Sequence, residues 1–230
     1  PKIGGELREK ALLALLFSIL GMIVYISIRF ETSFNIGILF ILLISFAMMA
    51  VSTSVWIDKV PFLIPILIIT TLILTFVIGI KFDMRYALTA IVALIHDVTV
   101  TVGLLSILDK EISITIIAAL LTIVGYSIND TIVIYDRIRE NLRVLRKKVY
   151  IDIINSSLNE TLSRTIITSL VTLMSVIALL SFGGKVIQDF ALALFIGMIA
   201  GVYSTVFIAS ALMLEWHIWD EQKKAKAKVK

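Results

Sequence analysis

Long apolar runs separated by short charged turns dominate the chain. Seven of these runs approach the roughly 20 residues that an α-helix needs to cross a bilayer. The alternation of apolar and polar positions that is typical of a membrane β-barrel is not seen. We therefore predict an all-α integral membrane protein, a bundle of about seven transmembrane helices. The predicted spans are about 8–30, 36–57, 60–80, 85–108, 112–136, 160–182 and 186–214.

The composition agrees with a membrane protein and narrows its chemistry. Hydrophobic residues make up 59% of the chain and charged residues only 17%, which a soluble domain could not bury. There is no cysteine, so disulfides, thiolate metal sites and a cysteine nucleophile are excluded. The two histidines lie on separate predicted helices, which argues against a histidine-rich metal site. We predict no metal, no organic cofactor and no enzymatic activity.

The basic residues are divided unequally between the two sides of the predicted membrane. Of the 21 lysines and arginines, six lie on the N-terminal side and all others on the C-terminal side. The positive-inside rule then places the C-terminus in the cytoplasm, so the net charge of +4 reflects topology and not nucleic-acid binding. The segment 137–150 is predicted as a cytoplasmic surface helix, and 220–230 as a basic cytoplasmic tail. The six are Lys2, Arg8, Lys10, Lys59, Lys110 and Lys185.

Two charged residues interrupt the apolar runs near the predicted cytoplasmic side. Asp130 lies about 9 Å inside the fifth span, measured from Asp136, and Arg164 enters the sixth span at a similar depth. A carboxylate in the bilayer costs about 2.5–3.5 kcal/mol on insertion scales unless it is protonated, paired or hydrated. Desolvation favours its protonated form, whereas a nearby guanidinium favours its ionised form. The pair is therefore a candidate proton-coupling site; a purely structural ion pair is the alternative.

Polar side chains accompany this pair on both helices. In the fifth span, Ser127 lies one turn before Asp130, and Asn129 adjoins it. In the sixth span, hydroxyl residues recur at steps of four and three, the spacing of one helical face. They could order water leading to the buried site, or they could serve close helix packing through internal hydrogen bonds. The stripe consists of Thr161, Thr165, Thr168, Thr172 and Ser175, and Thr165 and Thr168 are the predicted supporting members.

A second acidic residue, Asp97, lies near the middle of the fourth span, directly after His96. Adjacent residues on a helix point about 100° apart, which predicts that these two side chains do not share a face. Asp97 either lines the same polar interior as Asp130 or caps a local network with Thr99 and Thr101.

Small residues recur at every fourth position in the seventh span. Ala193, Gly197 and Gly201 form a small-xxx-small ridge, and Ser204 continues it. This spacing predicts a face for close helix packing and says nothing about chemistry.

Several motifs of this sequence resemble the SecF family of protein-export membrane proteins. They are ALTAIVALIHDV (87–98), GYSINDTIVIYDRIREN (125–141), NETLSRTIITSL (159–170) and FGGKVIQDFALALFIGMIAGVYSTVFIAS (182–210). The opening PKIGGELREKALLALL (1–16) resembles the segment that begins the family's second span. The Ser-Ile-Asn-Asp motif at 127–130 favours SecF over its partner SecD. The resemblance covers nearly the whole chain apart from about 32–83.

This resemblance implies a fold and a function. SecF belongs to the resistance-nodulation-division superfamily, in which SecD and SecF each form half of a pseudo-symmetric helical bundle. The complex is expected to use the proton gradient to draw exported polypeptide chains outward through the Sec translocon of SecY, SecE and SecG. Carried onto this sequence, the proton-responsive aspartate is Asp130 and the essential arginine is Arg164. Protons would be the coupling ion, and membrane lipid the surroundings of a multi-pass protein of the cytoplasmic (inner) membrane.

The sequence departs from the SecF pattern in two places. The family's first span and extracytoplasmic domain would precede the segment matching residue 1, and we expect both to be absent from this sequence. Residues 32–83 are predicted to be a two-span insertion, and their even number of spans would preserve the orientation of everything downstream. A local repeat, ISIRFETSFNIG (26–37) and IGIKFDMRYALT (78–89), leaves open whether 8–31 or 60–83 is the family's second span.

Three other functions are weighed against proton-driven export. An intramembrane aspartyl protease would need Asp97 and Asp130 nearly in contact, yet their predicted depths are about 18 Å and 9 Å. A small-molecule exporter of the same superfamily would need a substrate pocket in large external domains. A structural scaffold of the translocon would tolerate a neutral hydrogen-bonding pair in place of Asp130 and Arg164.

Overall fold

The computed structural model describes residues 2–30, 63–145 and 148–228, and its regular elements in those ranges are all helices. A π-helical turn, Thr205–Ala209, joins the last two helices. The predicted all-α class is thus confirmed. The helices are α1 (Lys2–Phe30), α2 (Leu63–Lys81), α3 (Arg85–Ile107), α4 (Ile114–Val144), α5 (Tyr150–Phe182), α6 (Lys185–Ser204) and α7 (Ser210–Lys228).

Five helical stretches of the described residues are long and apolar enough to cross a membrane. The predicted third span corresponds to α2, whose apolar stretch Ile69–Lys81 is shorter. The predicted second span, 36–57, lies outside the described residues, so the count of about seven spans is not confirmed. The five stretches are Leu13–Phe30, Arg85–Ile107, Ile114–Val144, Tyr150–Phe182 and Lys185–Lys226.

The basic segment 137–150 is not a separate helix, which corrects the prediction. Its first eight residues continue α4 to Val144, and α5 begins at Tyr150 instead of near residue 160. Arg137 links the two helices here, because its guanidinium pairs with Glu140 at 2.6 Å and with Glu160 of α5 at 2.5 Å. The end of α4 therefore packs against the start of α5.

Residues 1–88 form one compact unit, and the division from the second unit falls inside α3. The turn from α2 to α3 is tight: Asp83 has a φ of 57°, and the Met84 amide donates to the Gly79 carbonyl at 2.8 Å. A Cβ on Gly79 would lie 2.7 Å from the Leu88 side chain, so the turn brings the two helices into close approach. Within this unit the Phe30 ring stacks on Tyr86 of α3, with centroids 5.2 Å apart.

Residues 89–230 form the second unit, in which α4, α5 and α6 pack on one another. We call the end of this unit where α4 ends and α5 begins the basic end. At the opposite end, the Lys110 ammonium lies 2.6 Å from the Asp189 carboxylate and ties the α3–α4 turn to α6. Polar side chains join α3 to α4, since the hydroxyls of Thr89 and Tyr135 are 2.6 Å apart and buried. The interior of this unit holds the predicted polar sites.

Candidate functional site

Asp130 lies on the buried face of α4, and only 6% of its surface is exposed. Two side chains of α5 act on its carboxylate: Arg164 through its charge, and Ser169 through its polar hydroxyl, which lies nearby. In the described ranges, no ion pair within 4 Å joins Asp130 to Arg164, so their attraction acts over a longer distance. Arg164 itself is exposed. The carboxylate thus has a cation nearby without being held by it.

The predicted hydroxyl stripe of α5 divides between two faces. Thr161 and Thr165 are buried, whereas Thr168 and Ser175 face outward. Thr168 donates to the backbone carbonyl of Arg164 at 2.9 Å, and Thr172 donates to that of Thr168 at 2.9 Å. These internal bonds match the packing alternative for the stripe. Thr165 differs, because its buried hydroxyl has no hydrogen-bond partner among the described residues.

The buried hydroxyls of α5 follow a spacing of four that the sequence interpretation missed. Ser157, Thr161, Thr165 and Ser169 are all buried, and the Tyr126 hydroxyl of α4 donates to Ser169 at 3.3 Å. The strict four-residue spacing was the available signal. The predicted stripe used alternating steps of four and three. It therefore combined residues of the buried face with residues of the outward face and did not include Ser169.

Asn129 is not brought to the buried carboxylate. It is exposed on α4, as its position one residue, about 100°, from Asp130 requires. Ser127, by contrast, is buried on the same side as Asp130, one turn away. Of the two predicted supporting residues on this helix, only Ser127 contributes to the interior.

Asp97 is fully buried, at 0% exposure, and is surrounded by polar groups. The Ser127 hydroxyl donates to its Oδ2 at 2.5 Å, and the Ser204 hydroxyl of α6, which donates to the Gly201 carbonyl at 3.2 Å, lies near the same carboxylate. His96 Nδ1 lies 3.1 Å from Asp97 Oδ1. The two side chains differ in burial, 31% exposed for His96 and 0% for Asp97, yet the imidazole reaches the carboxylate. We call these four residues the Asp97 site.

The alternative network of Asp97 with Thr99 and Thr101 does not form at the carboxylate. Thr101 donates to the backbone carbonyl of Asp97 at 2.7 Å, and Thr99 is exposed. Asp97 therefore belongs to the polar interior between α3, α4 and α6. Its carboxylate meets Ser127 and not Asp130, so the shared proton that an aspartyl-protease dyad needs has no geometric support.

The small-residue ridge of α6 lets this helix approach α4 closely. Ala193, Gly197 and Gly201 are all buried. A Cβ on Gly197 would lie 2.3 Å from Cδ1 of Ile123, and one on Gly201 would lie 3.2 Å from Cβ of Ser127 and 3.5 Å from Oδ2 of Asp97. Gly201 therefore allows α6 to close over the Asp97 site.

The π-helical turn follows directly after this ridge. Ser204 precedes it, and the hydroxyl of Thr205, its first residue, lies 3.1 Å from that of Thr131 on α4. The Ser210 hydroxyl donates to the Thr205 carbonyl, five residues back, at 3.0 Å. π-Turns occur frequently at functional sites because they re-aim side chains within a helix. Here the turn lies beside both Ser204 and Thr205.

Comparison with known proteins places the chain in a family. The family model for the protein export membrane protein SecD/SecF, C-terminal, matches residues 1–63 and 62–219. The chain belongs to the SecD/SecF family. Both Asp130 and the Asp97 site lie within the second matched stretch. The two stretches meet inside the predicted insertion at 32–83, which stays a prediction.

Individual members of the SecD/SecF family match most of the chain. The protein translocase subunit SecF of Koribacter versatilis (strain Ellin345) is 38% identical over 219 residues, which is 95% of this chain and 41% of that protein. SecF of Calditerrivibrio nitroreducens is 41% identical over 215 residues, 93% of this chain and 54% of that protein. The chain thus spans about half the length of these curated relatives.

A solved structure of a SecD/SecF family member is similar as well. The crystal structure of SecDF from Thermus thermophilus, described as a translocon-associated membrane protein, matches with a TM-score of 0.57 and 47% identity. The match covers 67% of this chain and 21% of that chain. The resemblance to SecF drawn from the motifs is therefore confirmed.

Proposed function

We propose that this chain forms part of a SecF subunit that couples proton movement to the export of polypeptide chains. It would act with SecD, beside the SecY, SecE and SecG translocon, in the cytoplasmic membrane with its C-terminus inside. The observation that carries the proposal is the buried Asp130 carboxylate, under the charge of Arg164 but outside direct contact with it.

The distance between Asp130 and Arg164 matters for this function. A carboxylate held in a tight ion pair stays ionised, whereas one buried without a cation stays protonated. Asp130 lies between these limits, so a small movement of α5 relative to α4 shifts the balance. Arginine keeps its own proton under all physiological conditions and therefore acts as the fixed charge. Proton uptake at Asp130 would weaken the attraction, and release would restore it.

The exposed polar groups of the bundle support a partner within the membrane. Arg164, Thr168 and Asn129 are exposed in this chain although they lie on apolar helices. Charged and polar groups in the hydrocarbon region normally face other helices or water. We assign the face of α5 that carries Arg164 and Thr168 to SecD, consistent with the SecDF name of a similar structure.

Export assays with Asp130→Asn test the proposed function. Asparagine keeps the size and hydrogen bonding of the side chain but cannot exchange a proton. In the complete export complex, we expect the variant to export at the rate that wild type shows after the gradient is collapsed. Gradient-driven export at the wild-type level in the variant would contradict proton coupling at this residue.

A crosslink separates this outcome from failed assembly. Because the chain has no cysteine, a single cysteine at Thr168 reports on the face assigned to SecD. We expect it to crosslink to SecD with and without Asp130→Asn. Ile166→Cys is the matched control, because residue 166 is exposed on α5 about 160° around the helix from residue 168. Equal crosslinking from both positions would reject this partner face.

A further inference from the structure

The Asp97 site contains a buried carboxyl group that the proposed exchange between Asp130 and Arg164 does not use. We propose that Asp97 and His96 form a second acid–base site that holds a proton. Its protonation state changes the contact of Asp97 with α4, one turn from Asp130. This inference rests on the proposed proton-coupled function. It adds two residues to that function, at a position in the bundle distinct from Asp130 and Arg164.

The charge environment of Asp97 differs from that of Asp130. Its carboxylate is fully buried, accepts a hydrogen bond from the Ser127 hydroxyl and has the Ser204 hydroxyl nearby. Among the described residues, His96 is the one group whose charge acts on it. Burying an ionised carboxylate without a cation is expensive. The stable arrangements are therefore a neutral pair, with the proton on Asp97, or an ion pair, with the proton on His96.

The imidazole of His96 is partly exposed, whereas the carboxylate of Asp97 is fully buried. The side chain of His96 is 31% exposed and borders a cavity of about 510 Å³ that is lined by residues of α3 and α6. His96 thus connects a fully buried acid to a space beyond the polar interior. The cavity is lined mainly by apolar side chains, including Val100, Leu104, Phe195 and Tyr203.

The proton transfer itself is simple. A proton leaves Nδ1 of the imidazolium and binds Oδ1 of Asp97, 3.1 Å away, which turns an ion pair into two neutral groups. The reverse transfer restores both charges, and no other group gains or loses a bond. Histidine suits this exchange because its ordinary titration range lies close to neutral pH.

Ser127 connects this transfer to α4, the helix that carries Asp130. Its hydroxyl donates to Asp97 Oδ2 at 2.5 Å, and a bond to an ionised carboxylate is stronger than one to a neutral acid. Ser127 lies three residues, about 4.5 Å of helical rise, from Asp130 on the same buried face of α4. A change of protonation at Asp97 therefore alters the hold of α3 on the helix that carries Asp130.

The titratable groups on the packed elements are few in the described part of the chain. His96 lies on α3 itself, and Asp130 lies on α4. On α6 the Tyr203 ring centroid is 6.1 Å from that of His96. Any pH response assigned to Asp97 must therefore be separated from Asp130 and Tyr203 by substitution.

Infrared difference spectra of the purified export complex in lipid vesicles test the proposal directly. Carbonyl bands of protonated carboxylic acids would be compared between acidic and neutral pH in wild type, Asp97→Asn and Asp130→Asn. We expect each variant to delete a different band, and His96→Gln to shift the pH at which the Asp97 band appears. Spectra unchanged by both Asp97→Asn and His96→Gln would overturn the second site.

Export measurements separate this inference from the proposed function. We expect His96→Gln and Asp97→Asn each to lower gradient-driven export several-fold and to move its pH profile, while Thr99→Val on the exposed side of α3 leaves both unchanged. If only Asp130→Asn affects the gradient-driven part, the second site is rejected and the proposed function stands. If Asp130→Asn has no effect, the proposed function itself fails. Should Asp97→Asn not assemble, His96→Gln carries the test, because it leaves the carboxylate and its hydroxyl neighbours in place.

Discussion

Two buried carboxylates of this protein differ in what surrounds them. Asp130 interacts with an arginine on the neighbouring helix, whereas Asp97 is surrounded by two hydroxyls and a histidine. Because arginine keeps its proton and histidine can release its proton, the proposed roles differ: Asp130 would work against a fixed charge and Asp97 against a variable one. The role of each follows from its neighbours and not from its burial alone.

Replacing the charged pair by a neutral pair distinguishes a motor from a scaffold. In Asp130→Asn with Arg164→Gln, both charges are removed while each position keeps a polar amide side chain, so no proton can be exchanged. We expect the double variant to assemble better than Asp130→Asn alone, because no uncompensated arginine charge remains. We also expect it to have no gradient-driven export. Thermal unfolding and export of both variants provide the measurement, and full export by the double variant would favour the scaffold.

The sequence identified the ionisable residues more reliably than their neighbours. An ionisable residue within an apolar run is informative by itself, which is how Asp97, Asp130 and Arg164 were found. The orientation of small polar residues depends on helix packing, which one sequence does not contain. Asn129 was therefore expected to support Asp130 but is exposed, and Ser169 was overlooked although it is buried near the carboxylate.

At the scale of elements, the close approach of α6 to α4 depends on the glycines of the small-residue ridge. The spacing of Ala193, Gly197 and Gly201 predicted this face from sequence alone. The partner helix could not be predicted, and neither could the π-helical turn that follows, because nothing in its sequence, Thr205–Ala209, distinguishes it from α-helix. The segment 137–150 was wrongly predicted as a separate surface helix, since charge pattern alone does not reveal the contact of Arg137 with α5.

The packing of the ridge can be tested with a single methyl group. In Gly197→Ala the new Cβ would lie 2.3 Å from Cδ1 and 2.6 Å from Cγ1 of Ile123, so the isoleucine must move. Overpacking of this kind costs about 1–3 kcal/mol of stability. Gly103→Ala is the control, because a Cβ there meets nothing within 4 Å. Thermal unfolding in detergent should show a loss only for Gly197→Ala, and adding Ile123→Ala should recover part of it; equal stability of the two single variants would contradict the close approach.

At the scale of the whole molecule, the proposed function makes this chain one part of a larger assembly. It covers about half the length of its curated SecF relatives, and its exposed polar face includes an arginine. A bundle that buries the Asp130 carboxylate and exposes Arg164, the cation that attracts it, on an apolar helix is suited to contact a second membrane subunit. The proposed motor would therefore work only when both halves are present.

Direct measurement of proton uptake tests the central claim most closely. Vesicles carrying the complete export complex and a trapped pH indicator would be followed during export of a single substrate protein. For wild type we predict proton movement that starts with export and stops when export is complete, and for Asp130→Asn we predict none above the leak of vesicles without the complex. Proton movement in Asp130→Asn equal to that of wild type would contradict the account.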